Sequence, residues 1–358
     1  MDYNVLWYVL IGVLLIGYAI LDGFDLGVGI FHLRSKGDLN RRLVMNSIGP
    51  VWDGNEVWLI TAGGALFAAF PNVYATAFSS FYLPFMLLLI ALIFRAVSIE
   101  FRSKETNPTW RSFWDGGFAV GSILATFLFG VTIGNVVIGF PIGENMEYQG
   151  TVFNLLNPYA LVSGLFAVSM FALHGGIYLV MKTEGELQQQ ALQWVKVTYR
   201  IFVLFFIGYS GYTLLVKPEM IANFSFGRIA LSGTSHELIE NNELIISTVA
   251  WVIALLNLLA IANIPRTLSR KNYGWTFVSS ASMIAAIVML FALGIFPNLM
   301  VSNLDSTYNL DIYNGASSAY TLKTMALLAV FGLPFVLSYT VIIYWTYRGK
   351  VKLDDMSY

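Results

Sequence analysis

The sequence predicts an all-α, polytopic membrane protein, and three observations carry that prediction. Only 11% of the 358 residues are charged, against 57% hydrophobic, and the mean hydropathy is +0.68; soluble domains carry about 25% charge. Apolar runs of about 20 residues, the length that crosses a bilayer, recur nine times along the chain. Basic residues fall in alternate connections between those runs, as they do in membrane chains. A soluble core cannot absorb so little charge over several hundred residues, so lipid must be the solvent for most of the surface.

The first run, 5–30, has no basic leader and no small-residue cleavage site before it, and is read as a retained helix. Run 50–70 opens at Pro50, a residue suited to a first helical turn, and run 72–97 follows directly after Pro71. Run 113–140 opens on "SFWDGGF" and stops at Pro141, and run 158–181 opens at Pro158. Runs 198–216, 245–264 and 275–297 end at Pro218, Pro265 and Pro297, and the ninth run covers 319–346. Proline marks these ends because it lacks an N–H and its ring clashes with the preceding turn.

Seventeen of the 20 Lys and Arg residues lie in the connections after runs 1, 3, 5 and 7 and in the tail; Lys217, Arg228 and Lys323 are the others. The positive-inside rule then puts the N-terminus outside and the C-terminus in the cytoplasm. The longest polar connections, about 141–157, 218–244 and 298–318, would all face outside. None of them has room for a soluble domain, so residues 1–358 are expected to form a single transmembrane domain. A four-plus-four grouping, about 1–141 and 158–297 with a final helix at about 319–346, is compatible with the span count, although no repeat supports it.

The net charge of −1 argues against nucleic acid as a partner. The absence of cysteine excludes disulfides and thiolate metal sites. No phosphate-binding glycine loop, HExxH pair or nucleophile elbow is present. The three histidines are His32 at a helix end, His236 in an outer loop and His174 within run 5. Met170 lies one turn from His174, and haem iron accepts both residue types, but a lone histidine in "MFALHGGIYL" is more often a helix-packing hydrogen-bonder.

The informative charge is acidic and sits inside the runs. A charge at the bilayer centre costs roughly 2.5–3.5 kcal/mol, so such residues are functional candidates. In "YAILDGFDLGVGIFHLR", Asp22 and Asp25 stand three apart on one helix face. Asp22 is 12 residues before Arg34, about 18 Å of helix at 1.5 Å per residue. Gly23, Gly27 and Gly29 allow a plainer reading of close helix packing, or of a helix break whose freed backbone the acids satisfy.

"GPVWDGNEVWLITAGGALFAAFP" puts Asp53 and Glu56 between Trp52 and Trp58 at the head of an apolar run. The two acids could carry chemistry or simply complement the helix dipole, and the tryptophans could be interfacial anchors. Asp22, Asp25, Asp53, Glu56 and Asp115 all fall in the inner halves of their runs, and Arg95 and Glu100 close run 3 on the same side. Five acids at one depth suggest one polar pocket open to the cytoplasm, with Arg95 as counter-ion or merely snorkelling. Arg95 and Asp115, at the inner ends of adjacent runs, are expected to form a partly buried ion pair.

"LIGYAILDGFDLGVG", "RRLVMNSIGPVWDGNEVWLITAGGALFAAFP", "FRAVSIEFRSK" and "WDGG" together closely resemble the second subunit of the bacterial cytochrome bd quinol oxidases. The similarity is densest over 10–135. The resemblance implies a complex of the bacterial cytoplasmic membrane that oxidises quinol, reduces dioxygen to water and takes up cytoplasmic protons. It implies two b-type haems and one d-type haem in a haem-bearing subunit I, and no haem or metal ligand from this chain. Asp53 matches the acid that the family places in a proton route, and Asp25, Arg95 and Asp115 match its polar set. Glu56 stands where some relatives carry glutamine, and His174 matches no family ligand. A bound quinone or lipid and small single-span subunits are compatible with this picture. The rival reading is a proton- or ion-coupled secondary transporter, which would need helices broken at mid-membrane, with Gly23 and Gly64 as candidate breaks.

Overall fold

The computed structural model describes residues 2–218, 220 and 243–353. Its helices run α1 Tyr3–Phe31, α2 Asp38–Ile48, α3 Trp52–Ala69, α4 Pro71–Ser80, α5 Tyr82–Phe101 and α6 Pro108–Ile138. They continue as α7 Pro158–Lys182, α8 Gly185–Val216, α9 Glu243–Ser269, α10 Tyr273–Ile295 and α11 Ala319–Thr346. One small antiparallel hairpin, β1 Asn298–Met300 with β2 Leu310–Asp311, lies between α10 and α11. Among the described residues, eight helices are long and apolar enough to cross a membrane: α1, α5 to α10 and α11. The segment expected at 50–70 is α3, 18 residues long and less apolar because Asp53 and Glu56 sit in its first two turns.

Three boundaries differ from the sequence reading. The run 72–97 is not one helix but two, α4 and α5, broken at Phe81. Pro84 explains the break, because its ring would collide with the Ser80 carbonyl if the helix ran through. Pro265 does not end a helix but lies inside α9. The carbonyl that this proline frees, on Ile261, accepts a hydrogen bond from the Tyr199 hydroxyl at 3.2 Å. Pro50 falls just before α3 rather than in its first turn.

The middle of the bundle is α7, 78% of whose apolar window is buried, whereas the figure is 6% for α8 and 0% for α11. Glycines let α1 and α7 touch backbone to backbone: a Cβ on Gly27 would lie 1.9 Å from the Phe171 carbonyl oxygen. α1 is continuous through Gly23, Gly27 and Gly29, and α3 through Gly64. The α1 glycines therefore serve packing, a Cβ on Gly64 would meet nothing within 4 Å, and neither Gly23 nor Gly64 breaks its helix as a transporter reading called for.

Most Lys and Arg residues gather at one end of the bundle, the basic end. There α7 meets the tail, with Lys182 Nζ donating to the Tyr347 carbonyl at 2.6 Å. At the other end, 139–157 and the hairpin region close over the helices: Phe140 N donates to the Val301 carbonyl at 3.1 Å and Asn303 N to the Phe140 carbonyl at 3.2 Å. His236, placed in an outer loop by the sequence, lies outside the described residues.

Candidate functional site

Four helices build a buried ionic network around Arg95. The α1 spacing brings Tyr18, Asp22 and Asp25 to one face, α3 supplies Asn55 and Glu56, α5 supplies Arg95, and α11 supplies Tyr344. Asp22, Asp25 and Arg95 are fully buried. Arg95 donates through Nη2 to Asp22 Oδ1 at 3.0 Å, and through Nη1 to Glu56 Oε1. Asn55 Nδ2 donates to Asp25 Oδ2 at 2.7 Å and to the Leu21 carbonyl at 3.3 Å. The Tyr344 hydroxyl donates to Asn55 Oδ1 at 2.8 Å, which fixes the amide with its nitrogen towards Asp25. Asp25 Oδ1 and Arg95 Nε are buried with no hydrogen-bond partner in the protein. Each such group costs about 1–3 kcal/mol if left dry; Asp22 Oδ2 is orphaned in the same way, as are His32 Nδ1 and Arg102 Nη1 beside Asp115.

Burial falls step by step from this network to the surface. Glu56, paired to Arg95, keeps 23% of its side chain exposed. Asp53, one turn earlier on α3, is exposed. It sits in the first turn of a helix whose N-cap, Val51, offers no side-chain cap, so its charge also complements the helix dipole. Trp52 is half-buried against the main core. Glu100 is half-buried near the end of α5.

Asp115 belongs to a second cluster, which corrects both the single five-acid pocket and the Arg95–Asp115 pair. Its Oδ1 receives Arg102 Nε at 2.5 Å and His32 Nε2 at 2.5 Å. Its Oδ2 receives Arg41 Nη1 at 2.7 Å and Arg102 Nη2 at 3.4 Å. Arg102 also reaches Asp38 at 2.9 Å, and Arg111 stands 3.3 Å from the same carboxylate. The correction has a geometric cause. Arg102 follows Arg95 by two turns, about 10 Å along α5, and meets Asp115 near the start of α6, while Arg95 points inward to α1. In the sequence Arg41 and Arg102 read only as basic residues of the connections, and His32 as the end of a helix. Asn55 and Tyr344 were also missed; Asn55 could have been suspected from its place between Asp53 and Glu56, but nothing local marks Tyr344.

His174 is a packing residue. Its Nε2 donates to the Ile20 carbonyl at 3.0 Å and its Nδ1 accepts from the Ser280 hydroxyl at 2.8 Å, and its ring stacks on Phe277. Neither nitrogen is open to iron. Among the described residues no group of three His, Cys, Asp or Glu side chains is placed to hold a metal ion.

Fold and site together define a multi-pass helical membrane protein with a carboxylate network entered from one end. The model of the family "Cytochrome bd terminal oxidase subunit II" matches residues 3–347, and the chain belongs to that family. It is 36% identical over 374 residues to the cytochrome bd-I ubiquinol oxidase subunit 2 of Escherichia coli K12, covering 99% of this chain and 97% of that one. It is 34% identical over 355 residues to the cytochrome bd ubiquinol oxidase subunit 2 of Bacillus subtilis, covering 99% and 98%. In fold it is similar to a chain of the bd oxidase from Geobacillus thermodenitrificans, with a TM-score of 0.73 at 17% identity, covering 97% of this chain and 99% of that one.

Proposed function

We propose that this subunit of a bacterial membrane quinol oxidase carries protons inward along Asp53, Glu56, Asp22 and Asp25, towards the haem that binds oxygen in its partner. The observation that carries the proposal is the graded burial of those four acids, from exposed to sealed, with an unpartnered oxygen on each of the two sealed ones, Asp22 and Asp25. A carboxylate with a spare oxygen can take a proton on one side and release it on the other. Arg95 holds Asp22 and Glu56 in register and offsets part of their mutual repulsion. Asn55 and Tyr344 fix the orientation of Asp25. Asp115, with the guanidiniums of Arg41 and Arg102 and the imidazole of His32, lies outside the route and clamps α2 and α6 to the ends of α1 and α5.

In this reading the basic end faces the cytoplasm, and α3 together with α4–α5 completes nine spans, N-terminus outside. Two b-type haems and one d-type haem, with the quinol-oxidising site, belong to the partner, subunit I. The occupied nitrogens of His174 support the reading that this histidine gives iron no ligand. Small single-span subunits and a bound quinone would be additions at the lipid-facing surfaces.

The test is Asp53→Asn in the whole complex, read as quinol-driven oxygen consumption at normal haem spectrum and subunit ratio. Asparagine keeps the size and polarity that a helix start needs but cannot carry a proton. At least a tenfold loss of turnover is expected, about 1.4 kcal/mol of barrier, with much of it restored in Asp53→Glu. Near-normal turnover in Asp53→Asn would leave Asp53 as a helix-dipole residue only.

A further inference from the structure

We infer that the basic end of α8 and α9 is a binding site for an anionic phospholipid. The two helices leave a cavity of about 180 Å³ between them, lined by Lys196, Tyr199, Arg200, Ile264, Pro265 and Leu268. Lys196 and Arg200 are exposed, one turn apart on α8, and neither forms an ion pair among the described residues. The cavity has a built floor. Pro265 removes one helix hydrogen bond, and Tyr199 crosses from α8 to satisfy the Ile261 carbonyl, so the space above the proline stays open.

Charge selects the occupant. Lys196, Arg200, Arg266, Arg270 and Lys271 face this end, and residues 187–218 and 244–304 contain no acid at all. The nearest acid on α8, Glu186, is 10 residues before Lys196, about 15 Å away along the helix. A second groove flanks α9 on its other side, headed by Arg266 with Trp275, and lined by Leu256, Leu259 and Met289. Below the cations α8 is almost wholly unburied, so the surface that continues from the cavity is apolar and lipid-facing. A phosphate between Lys196 and Arg200 with acyl chains along α8 and α9 satisfies both halves of this surface. Basic pockets between spanning helices bind anionic head groups for the same reason. The inference is independent of the proton route.

The experiment uses the intact complex in nanodiscs of phosphatidylcholine with increasing phosphatidylglycerol, and native mass spectrometry counts the lipids retained after release. The wild-type complex should retain phosphatidylglycerol in preference to phosphatidylcholine. Lys196→Gln with Arg200→Gln should lower that retention about tenfold or more, as each cation near the surface contributes substantially. The charge-keeping pair Lys196→Arg with Arg200→Lys should hold it, and Lys323→Gln at the opposite end should change nothing. All three substitutions sit at exposed positions, so folding is not at stake. Equal retention of the two lipids by the wild type, or undiminished phosphatidylglycerol in the double glutamine variant, would overturn the site. So would occupation of the cavity by a protein segment, detected as a cross-link from a photoreactive residue at 199.

Discussion

Around Arg95 one guanidinium stands among three carboxylates, of Asp22, Asp25 and Glu56; around Asp115 one carboxylate stands among two guanidiniums and an imidazole. Both clusters tie the region of α1 to that of α5 and both centre on buried side chains, but their ratios of acid to base are opposite. They differ in what is left over. Asp115 has both oxygens doubly engaged, so its carboxylate is filled. The Arg95 network leaves Asp25 Oδ1 without a partner, so acid capacity remains. The ratio of acid to base, rather than burial, separates the clamp from the relay proposed above.

The largest effect is expected from Asp115→Leu. It strands His32, fully buried, beside an apolar side chain and leaves Arg102, 1% exposed, with only the solvent-exposed carboxylate of Asp38. Removing one partner of a buried ion pair costs about 3–5 kcal/mol, a large part of a typical folding stability. The expected outcome is little or no assembled complex, measured as the yield of both subunits after mild solubilisation. Normal yield would show that the cluster clamps nothing.

Arg95→Leu comes next, and it can be rescued. The single change leaves Asp22 buried with no cation, at a cost of the same order. Adding Asp22→Asn removes the stranded charge, so the double variant should assemble better than Arg95→Leu. The matching pair in the other cluster, Asp115→Asn with Arg102→Leu, should recover less, because Arg41 and His32 still face the site. Equal recovery in the two clusters would erase the difference in charge balance proposed here.

Asp25→Asn is expected to spare assembly and slow turnover. The amide keeps the volume, and its oxygen can still accept from Asn55, so haem content and subunit ratio should be normal. Oxygen consumption should fall at least tenfold, about 1.4 kcal/mol of barrier. Unchanged turnover would end the route before Asp25.

The sequence made the membrane architecture legible because every lipid-facing helix needs its own apolar run. The loops needed only a count of charges. It failed where the information was tertiary or steric. The α4–α5 break depended on Pro84, twelve residues past the start of the otherwise continuous apolar run 72–97. Pro265 misled because a tyrosine on another helix supplies what the proline removes. The acids of the site were visible one by one, since a carboxylate inside an apolar run is conspicuous. Their sorting into two clusters was not, because it turns on two helical turns between Arg95 and Arg102. Tyr344, on the last helix and 289 residues from Asn55, carries no local signal.

The smallest effect is expected at Glu56, the member of the acidic network nearest the surface. Its side chain is 23% exposed, so water competes with the protein for its charge and for its protons. Glu56→Gln leaves an amide oxygen that can still accept from Arg95, which keeps the guanidinium anchored, and Asp22 remains as its counter-ion. Stability should therefore change little, in contrast to Asp115→Leu. Kinetically, Gln cannot carry a proton, but a partly exposed position lets water bridge Asp53 to the buried acids. A loss of about two- to threefold in oxygen consumption is expected, well under 1 kcal/mol of barrier. If Glu56→Gln instead slowed turnover as much as Asp25→Asn, no water would bridge the gap. The route would then pass obligatorily through Glu56, and the network would be a continuous chain of carboxylates from the surface inward.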